Sequence, residues 1–262
     1  MTTIHPTALQ GFSAEAQSYA RGRPEYPSEV LPWLTDNLNV GTGKVVVDLG
    51  AGTGKFTKLL VQTGADVTAV EPVEAMRMQL VNGLPGVRCL AGNAEAIPLE
   101  TSSAVAVVCA QAFHWFANKE ALREIHRVLR AGGMLGLVWN VRDESVDWVA
   151  AITNIITPYE GDAPRFYKWD WRKPFSGEYF TALEATSFGY QHVGTPQEAI
   201  LDRFLSVSFI AALPAPEKAG VAAQLRELIA SHPALRERDT IALPYWTEAY
   251  WCKRMQEPVG PA

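Results

Sequence analysis

The sequence predicts an α/β fold built on a doubly wound, Rossmann-like and mostly parallel sheet. The segment 45–49 is apolar at four of its five positions without alternation, as expected of a strand covered on both faces. Gly50, Gly52 and Gly54 follow directly, and glycine at alternate positions lets the backbone turn sharply and approach a ligand. Strand-like and helix-like segments then alternate up to residue 140, which favours parallel strands joined by right-handed crossovers.

A first helix is predicted over 28–39, with Ser28 as its N-cap, apolar residues at helical spacing and Pro32 in its first turn. Asn118 is expected to cap a later helix, and Gly132-Gly133 to stop it. The alternation after the first helix predicts strands over 44–49, 66–71, 86–90, 104–110 and 134–139, and helices over 54–63, 73–81 and 119–130.

The pattern changes after residue 140. Aromatic residues become dense without periodicity between Trp148 and Phe175, which predicts a cap over the carboxyl edge of the sheet. Thr195 to Glu198 form a capping box with proline at the first helical position, so a helix is expected over 195–207. A further helix is predicted over 216–230, and a last pair of strands over 185–193 and 245–254.

These elements divide the chain into three parts. Residues 1–40 are expected to form an N-terminal helical lid, and residues 41–140 a ligand-binding Rossmann-like core. Residues 141–262 complete the sheet and carry the substrate cap, which is expected within 142–180 and 196–238.

The composition indicates an ordinary globular protein. The chain has 262 residues, of which 48% are hydrophobic and 19% charged, and its formal net charge is -5. A chain of this length can bury a substantial core, and an acidic balance disfavours nucleic acid as a partner. The first residues lack a basic start with an apolar run, and no stretch reaches the roughly 18 apolar residues of a membrane span. We therefore expect a cytoplasmic protein without a membrane partner.

The cysteines and histidines give no sign of a metal site. Cys89, Cys109 and Cys252 each fall in a strand-like segment without a Cys-x-x-Cys pair, which predicts reduced thiols packed as small hydrophobes. No two of the five histidines stand at helical i, i+4 spacing. We expect no bound metal.

The spacing of the three glycines limits which ligand the turn can hold. A dinucleotide fingerprint needs Gly-x-Gly-x-x-Gly, whereas the third glycine here comes one position earlier. A P-loop needs a glycine where Leu49 stands and a hydroxyl residue after its lysine, where Phe56 stands. Neither phosphate-binding motif therefore fits.

The turn resembles the first motif of class I S-adenosylmethionine-dependent methyltransferases. The resemblance covers roughly residues 12 to 140 and is looser beyond, where Leu243-Pro244 is loosely similar to trans-aconitate methyltransferases. It implies a seven-stranded sheet with an antiparallel last strand, S-adenosylmethionine as the cofactor and S-adenosylhomocysteine as its product. The further matching stretches, in the family's order, are 67–72 (second strand), 92–98 (adenine loop), 110–116 (end of the fourth strand) and 129–133 (turn before the fifth).

Polar residues at the strand ends are candidates for holding this cofactor, because ligands of open α/β sheets lie beyond the carboxyl ends of the strands. Glu71 can accept hydrogen bonds from both ribose hydroxyls. Asp48 either positions the loop through donors such as Thr53 or contacts the methionine part. Asn93 stands where the family usually has aspartate, and it either accepts a hydrogen bond from the adenine amino group or is only a turn residue. Met76 either covers the adenine face or packs in the core. The predicted cofactor-binding set is Tyr19, Arg23, Asp48, Gly50, Ala51, Gly52, Gly54, Glu71, Pro72, Met76, Asn93, Ala94 and Gln111.

The aromatic and basic segment 18–27 resembles the N-terminal lid of small-molecule methyltransferases. On that resemblance Tyr19 would shield the sulfonium, and Arg23 would hold the methionine carboxylate through two parallel bonds. A solvated loop is the alternative.

In-line methyl transfer from a sulfonium disperses positive charge, so a dry cavity that holds the partners near contact supplies most of the rate. Aromatic faces suit such a cavity because they tolerate a cation and exclude water. His114 could act as a base, position the acceptor or simply pack, and a carboxylate acceptor would need no base. The predicted substrate cap comprises Trp115, Trp139, Trp148, Tyr167, Trp169 and Trp171.

The sequence thus predicts a methyltransferase that acts on a small molecule. The end of the fourth strand, 110–113, lacks the Asn/Asp-Pro-Pro-Tyr/Phe motif of amino-directed nucleic-acid methyltransferases. The alternatives are a binding module or rearrangement catalyst that keeps the cofactor pocket, a nicotinamide oxidoreductase, which the glycine spacing disfavours, and a macromolecular acceptor. The acceptor atom and the oligomeric state stay open at the level of sequence.

Overall fold

The computed structural model describes residues 23–256, whose strands form one seven-stranded sheet. The strands are β1 (Val45–Leu49), β2 (Asp66–Val70), β3 (Arg88–Leu90), β4 (Ala104–Ala110), β5 (Leu129–Arg142), β6 (Glu184–Gly194) and β7 (Ile241–Lys253). Their order across the sheet is β3-β2-β1-β4-β5-β7-β6. The first five strands pair in parallel, and β7 lies antiparallel between β5 and β6. The predicted fold class is confirmed, including the antiparallel last strand.

Helices cover the sheet and build the cap. They are α1 (Val30–Leu38), α2 (Lys55–Gln62), α3 (Glu74–Gly83), α4 (Lys119–Val128), α5 (Asp147–Ile156), α6 (Arg203–Leu205), α7 (Ser208–Ala211) and α8 (Ala215–Ser231). Within the described residues, none of these helices is long and apolar enough to cross a membrane.

Three large apolar clusters hold the described part of the chain together. One packs α4 and the aromatic residues after α5 on one face of the sheet, and a second packs α1 and α2 on the opposite face. The third lies in the cap, where α5 and α8 pack against the start of β7. Cys109 and Cys252 are buried and unpaired, as predicted, whereas Cys89 is only partly buried.

Helix α4 begins as predicted but ends early. The Asn118 side chain accepts a hydrogen bond from the Ala121 N–H at 2.8 Å, which confirms the predicted N-cap. The helix stops at Val128 rather than at the two glycines, because Leu129 already pairs with Ala104 in the sheet. Gly133 lies inside β5, where an added Cβ would stand 2.9 Å from the Arg130 carbonyl oxygen.

Two further elements differ from the sequence-based expectation. Ser28 is not the cap of α1, whose N-cap position is Glu29, without a side-chain hydrogen bond to the helix backbone. Pro244 lies within β7, opposite Gln191, and not before the strand. Its carbonyl oxygen accepts from the Asp143 N–H at 3.0 Å, so the residue that lacks a donor still contributes an acceptor.

The predicted capping box is present, but the helix after it is irregular. The Thr195 hydroxyl accepts from the Glu198 N–H at 3.2 Å, and the Glu198 carboxylate accepts from the Thr195 N–H at 3.1 Å. The following turn, Gln197–Asp202, winds as a π-helix before the short α6. π-Helical turns are rare in proteins, and those that occur often lie at functional sites.

Candidate active site

The three glycines after β1 are needed for different reasons. Gly50, Gly52 and Gly54 all have positive φ angles, of 75°, 57° and 88°. A Cβ at Gly50 would lie 2.7 Å from the Cβ of Ala112, and one at Gly54 would lie 2.9 Å from Cγ of Leu80. A Cβ at Gly52 would meet no other heavy atom within 4 Å. Two glycines therefore permit close packing, and the third faces open space.

That open space belongs to a cavity of about 170 Å³ at the carboxyl ends of β1, β2 and β4. Gly54 is not part of its lining, and Tyr19 lies outside the described residues. The other predicted cofactor residues all line it: Arg23, Asp48, Gly50, Ala51, Gly52, Glu71, Pro72, Met76, Asn93, Ala94 and Gln111.

Glu71 is held rigidly at the edge of this cavity. Its carboxylate oxygens accept from the Gly52 N–H at 3.0 Å and from the Val73 N–H at 2.8 Å. The pKa of Glu71 is raised overall, because the effect of burial exceeds the lowering by these two hydrogen bonds and by the charge of Arg77. Each carboxylate oxygen keeps a second lone pair, so both can still accept from a ligand's hydroxyl groups. The geometry fits a sugar diol.

Asp48 has one carboxylate oxygen engaged and one without a hydrogen-bond partner among the described residues. Its Oδ2 accepts from the Thr57 hydroxyl at 2.6 Å, so the donor is Thr57 on α2 and not Thr53. Its Oδ1 is buried and accepts no hydrogen bond from residues 23–256. A buried acceptor without a donor is costly, and the positively charged methionine part of S-adenosylmethionine would satisfy it. Asp48 is thus bonded to α2 and not to the predicted donor Thr53 of the loop, and its contact with the methionine part stays a prediction.

The cofactor is expected to bind more tightly as pH rises, because of Asp48. The pKa of Asp48 is raised from 3.8 to about 7, mainly by burial; the Thr57 hydrogen bond opposes this rise, and the charge of Glu71 contributes to it. Between pH 3.8 and about pH 7 the folded protein keeps the Asp48 proton, whereas the unfolded chain has released it. The stability of the protein without cofactor therefore falls as pH rises through this range. A cation beside Asp48 favours the ionised form, so S-adenosylmethionine affinity should increase about five- to tenfold from about pH 6 to about pH 8.

Calorimetric titration of the wild type and of Asp48→Asn across this range tests the assignment. The asparagine variant keeps the shape but has no ionisable group, and the difference between the two profiles isolates Asp48 from titration of the ligand itself. Parallel profiles would contradict the role assigned to this carboxyl.

Asn93 is engaged in its own turn. Its Oδ1 accepts from the N–H groups of Glu95 at 3.1 Å and Ala96 at 2.9 Å. The oxygen expected to face the adenine amino group is therefore committed to the backbone, as in the turn alternative. Met76 packs with Val73 in a small apolar cluster and also lines the cavity, and its contact with adenine stays a prediction.

Gln111 stands at the junction of this cavity with a second one. Its φ is 57°, a conformation rare for a residue with a side chain, and its N–H donates to the Val138 carbonyl oxygen at 2.8 Å. Its Nε2 donates to the Asn140 carbonyl oxygen at 3.4 Å. The strained backbone places the side chain between the two cavities.

The second cavity has a volume of about 800 Å³ and lies under the cap. It is lined by the ends of β4 and β5, by α5, and by the segment that follows α5. The two cavities share Arg23, Gln111, Trp115, Asn140 and Arg203.

His114 lines the second cavity as a neutral hydrogen-bond donor. Its Nδ1 accepts from the Trp139 indole N–H at 3.0 Å, so the remaining ring proton is carried by Nε2. Burial, and then the charges of Arg165 and Arg23, lower the pKa of His114 to about 3. Neither nitrogen is free to accept a proton, which argues for the positioning role over the base role.

We expect NMR to find a neutral His114 with an unprotonated Nδ1 even at about pH 5. Below pH 6.5 the histidine of the unfolded chain becomes protonated, whereas the folded protein keeps the His114 ring neutral down to about pH 3. The stability that the neutral ring contributes is therefore lost as pH falls from 6.5 to about 3. In Trp139→Phe, which removes the indole donor, the ring should lose its tautomer preference but stay neutral. An imidazolium signal from the wild type at that pH would contradict this picture.

The predicted aromatic cap divides into two groups. Trp115, Trp139 and Tyr167 line the second cavity. Trp148 and Trp171 are instead buried in apolar clusters, and Trp169 is exposed with Arg172 stacked on its ring at 4.5 Å. These three do not belong to the lining, because density of aromatic residues does not tell a core ring from a pocket wall.

Sequence reasoning missed several residues that line the second cavity: Asn140, Arg142, Arg165, Phe166 and Arg203. No short motif contains them, since they come from β5, from the segment after α5 and from α6. The π-helix before Arg203 marks this region in the structure, but no pattern in the sequence predicts it.

These features define the class of protein. A glycine turn, the fixed carboxylate of Glu71 and a cavity at the carboxyl edge of the sheet are the features of a nucleoside-binding α/β protein.

A family model described as a methyltransferase domain matches residues 47–137. An uncharacterized methyltransferase-like protein of Schizosaccharomyces pombe is 40% identical over 92% of this chain and 94% of its own length. An uncharacterized methyltransferase of Mycobacterium tuberculosis is 41% identical over 94% of this chain and 97% of its own length.

Among solved structures, a candidate methyltransferase from an antibiotic biosynthesis pathway of Anabaena variabilis superposes with a TM-score of 0.62. It is 19% identical, and the match covers 89% of this chain and 99% of that one, which supports the fold alone. With the sequence relatives, the chain belongs to the class I S-adenosylmethionine-dependent methyltransferases.

Proposed function

We propose that this methyltransferase acts on a small molecule, with the cofactor in the first cavity and the acceptor in the second. The observation that carries the proposal is that the two cavities adjoin at Gln111 and Trp115. An acceptor in the wider space thus meets the cofactor at this junction, where in-line transfer needs the reacting atoms near contact.

The size of the second cavity supports a small acceptor. Its volume of about 800 Å³ lies within the ~300–1,000 Å³ typical of small-molecule sites. Much of its lining comes from α5, from the segment that follows α5 and from α6, which lie in the cap region.

The residues around the first cavity fit S-adenosylmethionine. Glu71 would hold the sugar, Asp48 and Arg23 would face the methionine part, and the apolar side chains of Met76 and Ala94 would surround the adenine. When bound, the cofactor supplies a methyl group on a sulfonium.

The chain's own task is then to orient the acceptor and exclude water. Trp139 and Trp115 supply apolar walls, and the Nε2–H of His114 is available to donate a hydrogen bond to the acceptor. No proton needs to be removed by the protein if the acceptor atom is already ionised.

Labelled-methyl transfer into a low-molecular-weight metabolite extract tests the proposal. We expect formation of S-adenosylhomocysteine that depends on the extract, together with a labelled small product found by mass analysis. Cofactor binding without consumption would indicate the alternative of a binding module. Label found only in a protein or nucleic acid fraction would overturn the small-molecule assignment.

A further inference from the structure

The two edges of the sheet differ in how well they are protected against pairing with another chain. At one edge, β3 is only three residues long and begins with the exposed Arg88. Short edge strands that carry a charge resist pairing. At the other edge, β6 is eleven residues long, and the segment 184–194 contains no lysine, arginine or proline. This edge therefore lacks the residues that usually keep an edge strand single.

Strand β6 is also regular from end to end. Its register with β7 runs from Glu184 opposite Trp251 to Gly194 opposite Ile241 without a shift, so no bulge twists the edge away. Within the described range, β7 is the one strand that pairs with it. Alternate residues of such a strand point both their N–H and their C=O towards the free side. The outer side of β6 is thus a long template for another strand.

The residues of β6 match one another about the midpoint of the strand, Gly189. If a second copy pairs antiparallel with Gly189 opposite its own counterpart, Phe188 lies opposite Tyr190 of that copy. The further pairs are Ser187 with Gln191, Thr186 with His192, Ala185 with Val193 and Glu184 with Gly194. Aromatic side chains thus meet aromatic ones, polar meet polar and apolar meet apolar, while the one acidic residue meets a glycine.

This internal match indicates which partner the edge takes. A two-fold symmetric interface brings the same surface of both copies together, so it must be complementary to itself, and each pair then occurs twice. Matched cross-strand pairs on the same face stabilise such pairing. We propose that β6 pairs antiparallel with β6 of a second copy of this chain, about Gly189, so that the two seven-stranded sheets join into one continuous sheet.

An exposed tryptophan lies beside the proposed two-fold axis. Trp246, on β7, stands directly opposite Gly189 and is 46% exposed. A Cβ added at Gly189 would lie 3.8 Å from Cζ3 of its ring, so the ring extends towards the glycine. In the dimer the two glycines meet at the axis, and a Trp246 ring approaches them from either side. The pairing also brings Val193, 64% exposed, opposite Ala185, so exposed apolar surface near the edge is covered.

The backbone of this one strand supplies the hydrogen bonds that a stable interface needs. Pairing along all eleven residues gives about ten N–H···O=C bonds between the copies. Standard interfaces between proteins have about ten direct hydrogen bonds. Because β3 at the opposite edge is short and charged, the pairing closes after two copies and does not continue as a fibre.

Sedimentation equilibrium of the wild-type protein tests the dimer. We expect the mass to rise from one chain to two as the concentration is raised from about 1 μM to about 100 μM. Hydrogen exchange should slow in alternate amides of β6 over the same range, since those amides become bonded. A wild type that stays monomeric throughout would overturn the proposal, whether the edge is covered by the chain's own terminal residues or by a different protein. Assemblies larger than two chains would also overturn it.

Gly189→Lys tests the register. It places two lysines directly opposite each other, with Cβ atoms about 4.5–5.5 Å apart, and should raise the Kd of the dimer at least about tenfold. The variant should fold, because Gly189 has no positive φ and an added Cβ makes only an ordinary contact. Gly220→Lys, at an exposed position of α8 with nothing within 4 Å of an added Cβ, is the matched control and should dimerise as the wild type does.

A charge swap then distinguishes loss of pairing from loss of folding. Gly189→Glu alone should also be monomeric, whereas an equimolar mixture of Gly189→Lys and Gly189→Glu should recover a dimer that contains one chain of each. Since Gly189 lines neither cavity, both variants should bind S-adenosylhomocysteine as the wild type does. A mixture of cofactor-binding variants that stays monomeric, or a lysine variant that dimerises as tightly as Gly220→Lys, would overturn the proposed pairing.

Discussion

Replacing Gly52 by leucine is expected to weaken the binding of S-adenosylmethionine strongly while the protein still folds. A Cβ added at Gly52 would meet no other heavy atom within 4 Å, and Gly52 lines the cavity at the ends of β1 and β2. The leucine side chain would occupy the space that the cofactor needs, and overlap of this kind costs about 1–3 kcal/mol, which is a loss of affinity of about five- to 150-fold. Calorimetric titration with S-adenosylhomocysteine measures the loss directly.

Gly43→Leu is the matched control. Gly43 precedes β1 with a φ of 73°, and a Cβ there also meets nothing within 4 Å. Both variants thus carry the strain of a left-handed leucine, about 1–2 kcal/mol, but only Gly52 lines the cavity. Equal affinities of the two variants would show that the glycine turn does not hold the cofactor.

Replacing Glu71 by alanine is expected to weaken cofactor binding by roughly one to two decades, because a charge-assisted hydrogen bond contributes ~1.5–3 kcal/mol. The variant also leaves the N–H groups of Gly52 and Val73 without their acceptors, so the turn itself should loosen. The melting temperature should fall together with the affinity, and both are measured on the same samples by thermal unfolding and titration.

Two further variants separate charge from geometry. Glu74→Ala removes an exposed carboxylate from the first turn of α3 and should leave cofactor affinity unchanged. Glu71→Gln retains one carbonyl oxygen as an acceptor and should fall between alanine and the wild type. If Glu71→Ala bound the cofactor as tightly as Glu74→Ala does, the sugar would not be held at this position.

Much of the cofactor site could be predicted because it is built from local patterns. The run 45–49 and the three glycines specify a buried strand and a tight turn within ten residues. Glu71 follows the next strand, and the carboxyl ends of parallel strands meet at one edge of the sheet. Neighbours in sequence thus become neighbours in space with little dependence on the rest of the chain.

The side-chain partners within that site were harder to predict. Asp48 uses Thr57, one turn along α2, and the Asn93 oxygen turns back to its own loop. Each atom had several donors within reach, and the choice between them depends on side-chain rotamers and on backbone positions of a few tenths of an ångström. Sequence spacing does not contain that information.

The sequence by itself determined the class of fold, the position of the glycine turn and the family to which the chain belongs. Only the tertiary structure decided where the second cavity lies, which aromatic rings form its wall, and that Arg142, Arg165 and Arg203 meet there. The physical reason is the range of the interactions. Strands, turns and caps follow from neighbours along the chain, whereas the cavity depends on how α5, the π-helix and β5 pack together, and no periodicity records that packing.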